Sequence, residues 1–262
     1  MAAPPRDPAA AAGGQMTLWE HLAELRRRLI ICAVAVALGA LAGWFLYDLI
    51  VEVLQDPYCR IVDDPDVEGC GLYVTDPLQP FAIRLRIAGY GGIALAMPVI
   101  LWQIWGFVTP GLYPHERRYA IPFVGASLVL FVLGAGIAYY TLPQALGFLG
   151  AIGGENLTEI YTIDRYLHLI TYMMLAFGVG FEFPVLLVAL QLIGVITPQQ
   201  LASWRRMAIV VIVVLAAVIT PSGDPISLLA LSGPMYLFYE LSILIGWLFN
   251  RRRDRPEVSG EP

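Results

Sequence analysis

The sequence predicts an all-α, polytopic membrane protein in which six kinked transmembrane helices form a concave bundle. Three observations predict it. The 262 residues are 58% hydrophobic and 14% charged, with a mean hydropathy of +0.68, which leaves too few polar groups to cover a water-exposed surface. Apolar runs broken by charges or Pro/Gly clusters mark six spans, at about 29–49, 81–106, 120–142, 166–195, 207–219 and 226–249. The basic residues are all arginine, and they fall unequally on the two sides that these spans define.

An even span count puts both termini on one side. Most of the arginines, among them Arg26 to Arg28, Arg117, Arg118, Arg205, Arg206 and Arg251 to Arg253, lie on that side, and only Arg60, Arg84, Arg86 and Arg165 lie on the other. The positive-inside rule then predicts cytoplasmic termini. The net charge of -5 hides this bias, because acid is concentrated in the first outer loop as Asp56, Asp63, Asp64, Asp66, Glu68 and Asp76. No basic stripe of a nucleic-acid-binding protein is present.

Residues 1–16 are rich in Ala, Pro and Gly without periodicity and read as a disordered tail. A transmembrane domain follows over 17–250. Thr17-Leu18-Trp19-Glu20 has capping-box spacing, and Leu18, Leu22, Leu25 and Leu29 recur at helical intervals. This predicts a short amphipathic helix on the inner surface, with His21, Glu24 and Arg28 on its polar side, running into the first span. Arg26 to Arg28 and the apolar stretch ending at Ala40-Leu41-Ala42 imitate a cleavable export signal. Glu20 and Glu24 are out of character for such a signal, and five more spans follow.

The outer loop, about 50–80, carries Pro57, Pro65, Pro77 and Pro80 and is expected to fold as a cap. Cys32 packs in the first span as a small apolar residue. Cys59 and Cys70 share the outer loop, where a disulfide and two separate thiols are both open readings, because spacing alone does not fix the Cα separation. Asp64 to Gly69 faintly echoes a calcium loop, but Thr75 stands where a bidentate Glu is needed, so a solvated acidic loop is the better reading.

Gly89-Tyr90-Gly91-Gly92 lies inside the second span and reads as helix packing through small residues rather than as an ion filter. Pro98, Pro122, Pro143, Pro184 and Pro234 fall in or at the edge of spans, where each removes a backbone donor and favours a kink. The fifth span, with about 13 residues, covers only roughly 20 Å of a ~30 Å hydrocarbon core. Residues 251–262 form a cytoplasmic tail. The two halves share no internal repeat, which argues against a duplicated transporter.

Motifs for catalysis are missing: there is no HExxH, GxSxG, Walker loop or CxxC, and His21, His115 and His168 are too scattered for a metal set. No enzyme, cofactor or metal is expected. Glu24 and Glu116 each sit beside arginines on the inner side. Two readings stand. Together the two carboxylates can select an arginine pair by planar, bidentate bonding; alternatively Glu24 pairs with Arg28 at i+4, and Glu116 complements the N-terminal dipole of the third span. Glu182, in Phe177-Gly178-Val179-Gly180-Phe181-Glu182-Phe183-Pro184, is a mid-membrane carboxylate and so a functional candidate by its desolvation cost alone. Glu240 in the sixth span is similar but nearer the inner end.

Four segments in order resemble one family: His21 to Leu29, Phe107-Val108-Thr109-Pro110-Gly111-Leu112-Tyr113-Pro114-His115-Glu116-Arg117-Arg118, Phe177 to Pro184, and Thr220-Pro221 leading to Asp224. The likeness runs from about Thr17 to Trp247, with a further echo in Pro234-Met235-Tyr236 and Glu240, and it is to the C subunit of the twin-arginine protein translocase. The resemblance implies that Glu24, Phe107 and Glu116, with Arg26, Arg117 and Arg118 nearby, receive the paired arginines of signal peptides on folded cargo. It also implies an extracytoplasmic cap holding Pro57, a Glu182 facing a membrane groove, and short fifth and sixth helices that dock single-span partners of the TatA and TatB type. Self-association, a bacterial inner-membrane location and drive by the proton-motive force are implied as well. Thr220 to Asp224 is one residue longer than the family's usual turn, so contacts at Asp224 transfer least directly.

Overall fold

The computed structural model describes residues 18–60, 72–108, 120–153, 162–220 and 223–253. Among them are nine helices: α1 (Leu18–Phe45), α2 (Tyr47–Cys59), α3 (Gln79–Val108), α4 (Ala120–Gly153), α5 (Ile163–Gly180), α6 (Phe183–Leu192), α7 (Pro198–Ser203), α8 (Arg205–Ile219) and α9 (Pro225–Arg253). The only β pairing among the described residues is a single bridge between Tyr73 and Thr162. Five segments are long and apolar enough to cross a bilayer: His21–Phe45, Gln79–Phe107, Ile121–Ile152, Ile163–Leu192 and Pro225–Leu248. The protein is therefore an all-α, polytopic membrane bundle. The sixth candidate, α8, has 15 residues and covers only about 22 Å at 1.5 Å per residue.

Several elements differ from expectation. The inner amphipathic helix is not separate, because α1 runs unbroken for 28 residues into the first span. Helix α2 occupies the start of the region read as a cap loop and continues through Pro57. The third span continues through Pro143 to Gly153. The last helix, expected to be short, is 29 residues long and passes through Pro234, since no charge interrupts its apolar run before Arg251 except Glu240. Thr17, Cys70 and most of the acidic loop lie outside the described residues.

In lipid, helices gain little by hiding apolar surface from one another, so close packing has to hold them. Small residues allow it here. A Cβ at Gly39 would stand 2.5 Å from the Gly92 carbonyl oxygen, and one at Gly92 would stand 2.5 Å from the Ala40 nitrogen, so α1 and α3 touch backbone to backbone. Gly92 thus does what the second-span glycines were expected to do, whereas Gly89 faces open space. Gly134 and Gly178 make a second close crossing between α4 and α5, against Phe177 and Phe131. The largest core cluster joins α4, α5, α8 and α9 around Ile170, Met173, Phe177, Phe181 and Met235. Helix α1 stands outside it, with 6% of its most apolar window buried.

The fourth span breaks at Phe181 and Glu182. Glu182 N–H turns back to the Val179 carbonyl at 3.0 Å, a tighter turn than an α-helix makes. Pro184 lacks the N–H that would have reached Gly180, so the break falls where one bond of the helical ladder is already lost.

Candidate functional site

One end of the bundle is rich in arginine and holds the start of α1, the end of α3, α7 and the end of α9. There the lower turns of α1 lie against the last turns of α3. Arg28 donates from Nε and Nη2 to Glu24 Oε1, at 3.1 and 2.5 Å, and from Nη1 to the Gln103 carbonyl at 3.0 Å. The guanidinium lies against Gly106, where any side chain would displace it. One turn earlier on α1, His21 stacks on Phe107 with ring centroids 4.5 Å apart. Glu24 keeps about a quarter of its side chain exposed. The i+4 pairing of Glu24 with Arg28 therefore exists, and it is docked onto α3 beside Phe107. Arg26 is exposed on the same turn. Glu116, Arg117 and Arg118 lie outside the described residues.

At the same end, Arg205 of α8 grips Glu240 of α9 with a fork of bonds of 2.9, 3.1 and 2.9 Å, and the Tyr236 hydroxyl donates to Glu240 Oε1 at 3.0 Å. Glu240 is thus a paired interhelical anchor.

Within the bilayer, Glu182 packs at the junction of α3, α4 and α6. Its Oε1 is buried with no partner among the described residues. Trp105 Nε1 donates to Ser127 Oγ at 3.4 Å. An apolar groove of about 270 Å³ opens elsewhere, between α2, α3, α4 and α5, with Ile50, Tyr90, Phe131 and Met174 in its walls; Glu182 does not line it.

The opposite end carries α2. Pro57, buried in α2, cannot donate to the Val53 carbonyl. Tyr139 of α4 donates to that carbonyl at 2.9 Å instead. Tyr166 of α5 donates to the next one, Leu54, at 2.8 Å, and the Tyr58 backbone N–H faces the same hydroxyl. A tyrosine is inserted into the α2 ladder where proline opened it. Arg84 spans from α3 to the end of α1, donating to the Trp44 carbonyl at 3.2 Å and lying over the Trp44 and Tyr47 rings. Burial pushes the Tyr47 phenol above its ordinary value, and the Arg84 guanidinium opposes this. Arg86 pairs with Asp164 at 2.5 Å, tying α3 to α5. Asp224 is buried and accepts the Ser227 N–H at 2.7 Å, capping α9. Cys59 is disulfide-bonded and Cys32 is a free thiol.

Ser127, Trp105, Gly106 and Gln103 were not singled out from the sequence. Gly106, next to Phe107 at the end of an apolar run, is the one for which a local signal existed.

Among the described residues no group of His, Cys, Asp and Glu is arranged to hold a metal. Apolar helices of spanning length, with arginine–carboxylate pairs towards the two ends, define a multi-pass integral membrane protein. The family model for the Sec-independent protein translocase protein (TatC) matches residues 20–234, and the chain belongs to that family, whose members are named as translocase components. It is 43% identical to the Sec-independent protein translocase protein TatC of Frankia casuarinae, over 92% of this chain and 68% of that one. It is 40% identical to the TatC of Aquifex aeolicus, over 91% and 98%. The crystal structure of the twin-arginine translocase receptor TatC in DDM superposes with a TM-score of 0.74 at 40% identity, covering 87% of this chain and 99% of that one.

Proposed function

We propose that this chain is the receptor subunit of a twin-arginine translocase, reading the arginine pair of signal peptides at the arginine-rich end of the bundle. The observation that carries the reading is the state of Glu24. Both bonds from Arg28 converge on Oε1, so Oε2 has lone pairs to offer a second guanidinium without dismantling the first pair. Phe107, held by His21, supplies an aromatic face beside it on which a guanidinium can stack. Glu116 supplies the second carboxylate, and Arg26, Arg117 and Arg118 set the surrounding field and suppress stray cations. This end faces the cytoplasm of a bacterial inner membrane, with α8 as the sixth crossing in a locally thinned bilayer.

Single-span partners of the TatA and TatB type dock on α8 and α9. Val210, Val214 and Val218 form an exposed stripe at four-residue spacing along α8, which suits another helix. Copies of the chain self-associate, the proton-motive force drives transport, and Cys59 pairs with Cys70 in the cap.

The test is export of a folded reporter bearing a twin-arginine signal, in cells where this chain is the only C subunit, at matched membrane abundance. Glu24→Gln and Glu116→Gln are expected to abolish export and crosslinking of the signal peptide. Unchanged export in both variants overturns the reading.

A further inference from the structure

We propose that the apolar groove between α2, α3, α4 and α5 is a binding site for one membrane phospholipid, which lays an acyl chain in the groove and sets its phosphodiester on Arg84. The groove is apolar in its atoms as well as in its residues. Two residues in its walls carry hydroxyls. Thr171 spends its hydrogen on the Leu167 carbonyl at 2.5 Å, and the Tyr90 hydroxyl lies 3.4 Å from His168 Nδ1, so neither asks an occupant for a bond. The volume, about 270 Å³, does not admit a partner helix, because a single turn about 10 Å across and 5.4 Å long fills about 400 Å³. An acyl chain is narrow enough.

The polar head of the site stands at the α2 end. Arg84, Ile87, Gly91 and Ala94 recur at helical spacing along α3 and the last three line the groove, so Arg84 lies one turn beyond it. On α2, Tyr47 precedes the lining residue Ile50 in the same way. The Arg84 guanidinium lies over the Trp44 and Tyr47 rings and donates from Nη2 to the Trp44 carbonyl at 3.2 Å, which fixes its plane. Arg84 is half-buried, and its Nη1 bonds to nothing among the described residues. Asp48 is exposed beside Tyr47 and leaves the guanidinium unpaired, whereas Arg86, two residues on, is taken by Asp164. A planar guanidinium with a donor to spare, held near the membrane surface, suits a phosphate oxygen. The length agrees as well. From Arg84 to Leu95, the deepest lining residue on α3, the helix rises about 16 Å, and one leaflet takes about half of a ~30 Å hydrocarbon core.

The experiment titrates the full chain, delipidated in detergent, with phosphatidylglycerol and counts bound lipid by native mass spectrometry. One lipid is expected to bind ahead of the statistical background. Ala94→Phe, at an exposed position of α3, fills the groove and is expected to abolish this first adduct. Arg84→Gln is expected to weaken it roughly ten-fold, the worth of a hydrogen bond to a charged group. Diacylglycerol, which has the same tails and no phosphate, is expected to bind the wild type no better than it binds Arg84→Gln. An unchanged first adduct in Ala94→Phe overturns the proposal, as does equal retention of phosphatidylglycerol and diacylglycerol by the wild type. If Arg84→Gln loosens the corner between α1 and α2, Ala94→Phe and the diacylglycerol comparison decide without it. Ala94→Phe that keeps its lipid but loses crosslinking of the groove to a signal peptide or a single-span partner makes the groove a peptide seat and refutes the lipid site.

Discussion

Removing the Tyr166 hydroxyl tests how α2 is held. Tyr166 is 2% exposed, and its hydroxyl lies between the Leu54 carbonyl and the Tyr58 N–H, the pair that an uninterrupted α2 joins directly. In Tyr166→Phe the ring still packs on Tyr58, but a buried acceptor loses its donor. Such a loss costs about 1–3 kcal/mol when water cannot substitute. Tyr139→Phe removes a more exposed bond to Val53 and costs about 0.5–1.5 kcal/mol. At 1.4 kcal/mol per factor of ten, Tyr166→Phe raises the local opening of α2 by roughly 5- to 150-fold. Hydrogen exchange of the α2 amides, with α4 amides as the internal reference, reads that opening directly. Pro57→Ala sharpens the test. An alanine N–H at position 57 reaches Val53 itself, so Tyr139→Phe should cost less in the Pro57→Ala background than alone. Unchanged α2 exchange in Tyr166→Phe, or strict additivity of Pro57→Ala with Tyr139→Phe, refutes the clamp.

Other perturbations have equally definite outcomes. Gly92→Ala drives a Cβ into the Ala40 backbone and should destabilise the α1–α3 seam by about 1–3 kcal/mol, whereas Gly89→Ala and Gly125→Ala, with nothing within 4 Å, should leave the melting temperature unchanged. Asp224→Ala removes the cap of α9 and should cost about 1 kcal/mol, read as a lowered melting temperature that Asp224→Asn largely recovers. Alkylation of the unreduced, denatured protein should label Cys32 alone, and all three cysteines after reduction, by intact mass; three labels before reduction remove the Cys59–Cys70 pairing.

The parts of the fold legible in the sequence are those set by local composition. Apolar runs located the spans, Pro184 located the break beside Glu182, and the spacing of Glu24 and Arg28 announced their pair. Helix α2 was not legible, because Pro57 in a polar loop reads as a breaker, and what rescues the helix is two hydroxyls from α4 and α5, 86 and 112 residues further along the chain. The last helix was legible as an apolar run over 226–249 that passes Pro234, and only the shortness implied by the resemblance misled. In the candidate site, the stack of His21 on Phe107 and the bond of Trp105 to Ser127 depend on which helices become neighbours. One-dimensional periodicity does not encode that.

The contact between Gly39 and Gly92 restricts how this lineage can vary. An added methyl at Gly39 meets main-chain atoms of Gly92, and one at Gly92 meets the Ala40 nitrogen and Cα even more closely than the Ala40 Cβ, so trimming a side chain relieves neither clash. No second substitution across the seam makes room for the first. The two glycines are therefore each held in place on their own, and drift at one cannot open a path for drift at the other.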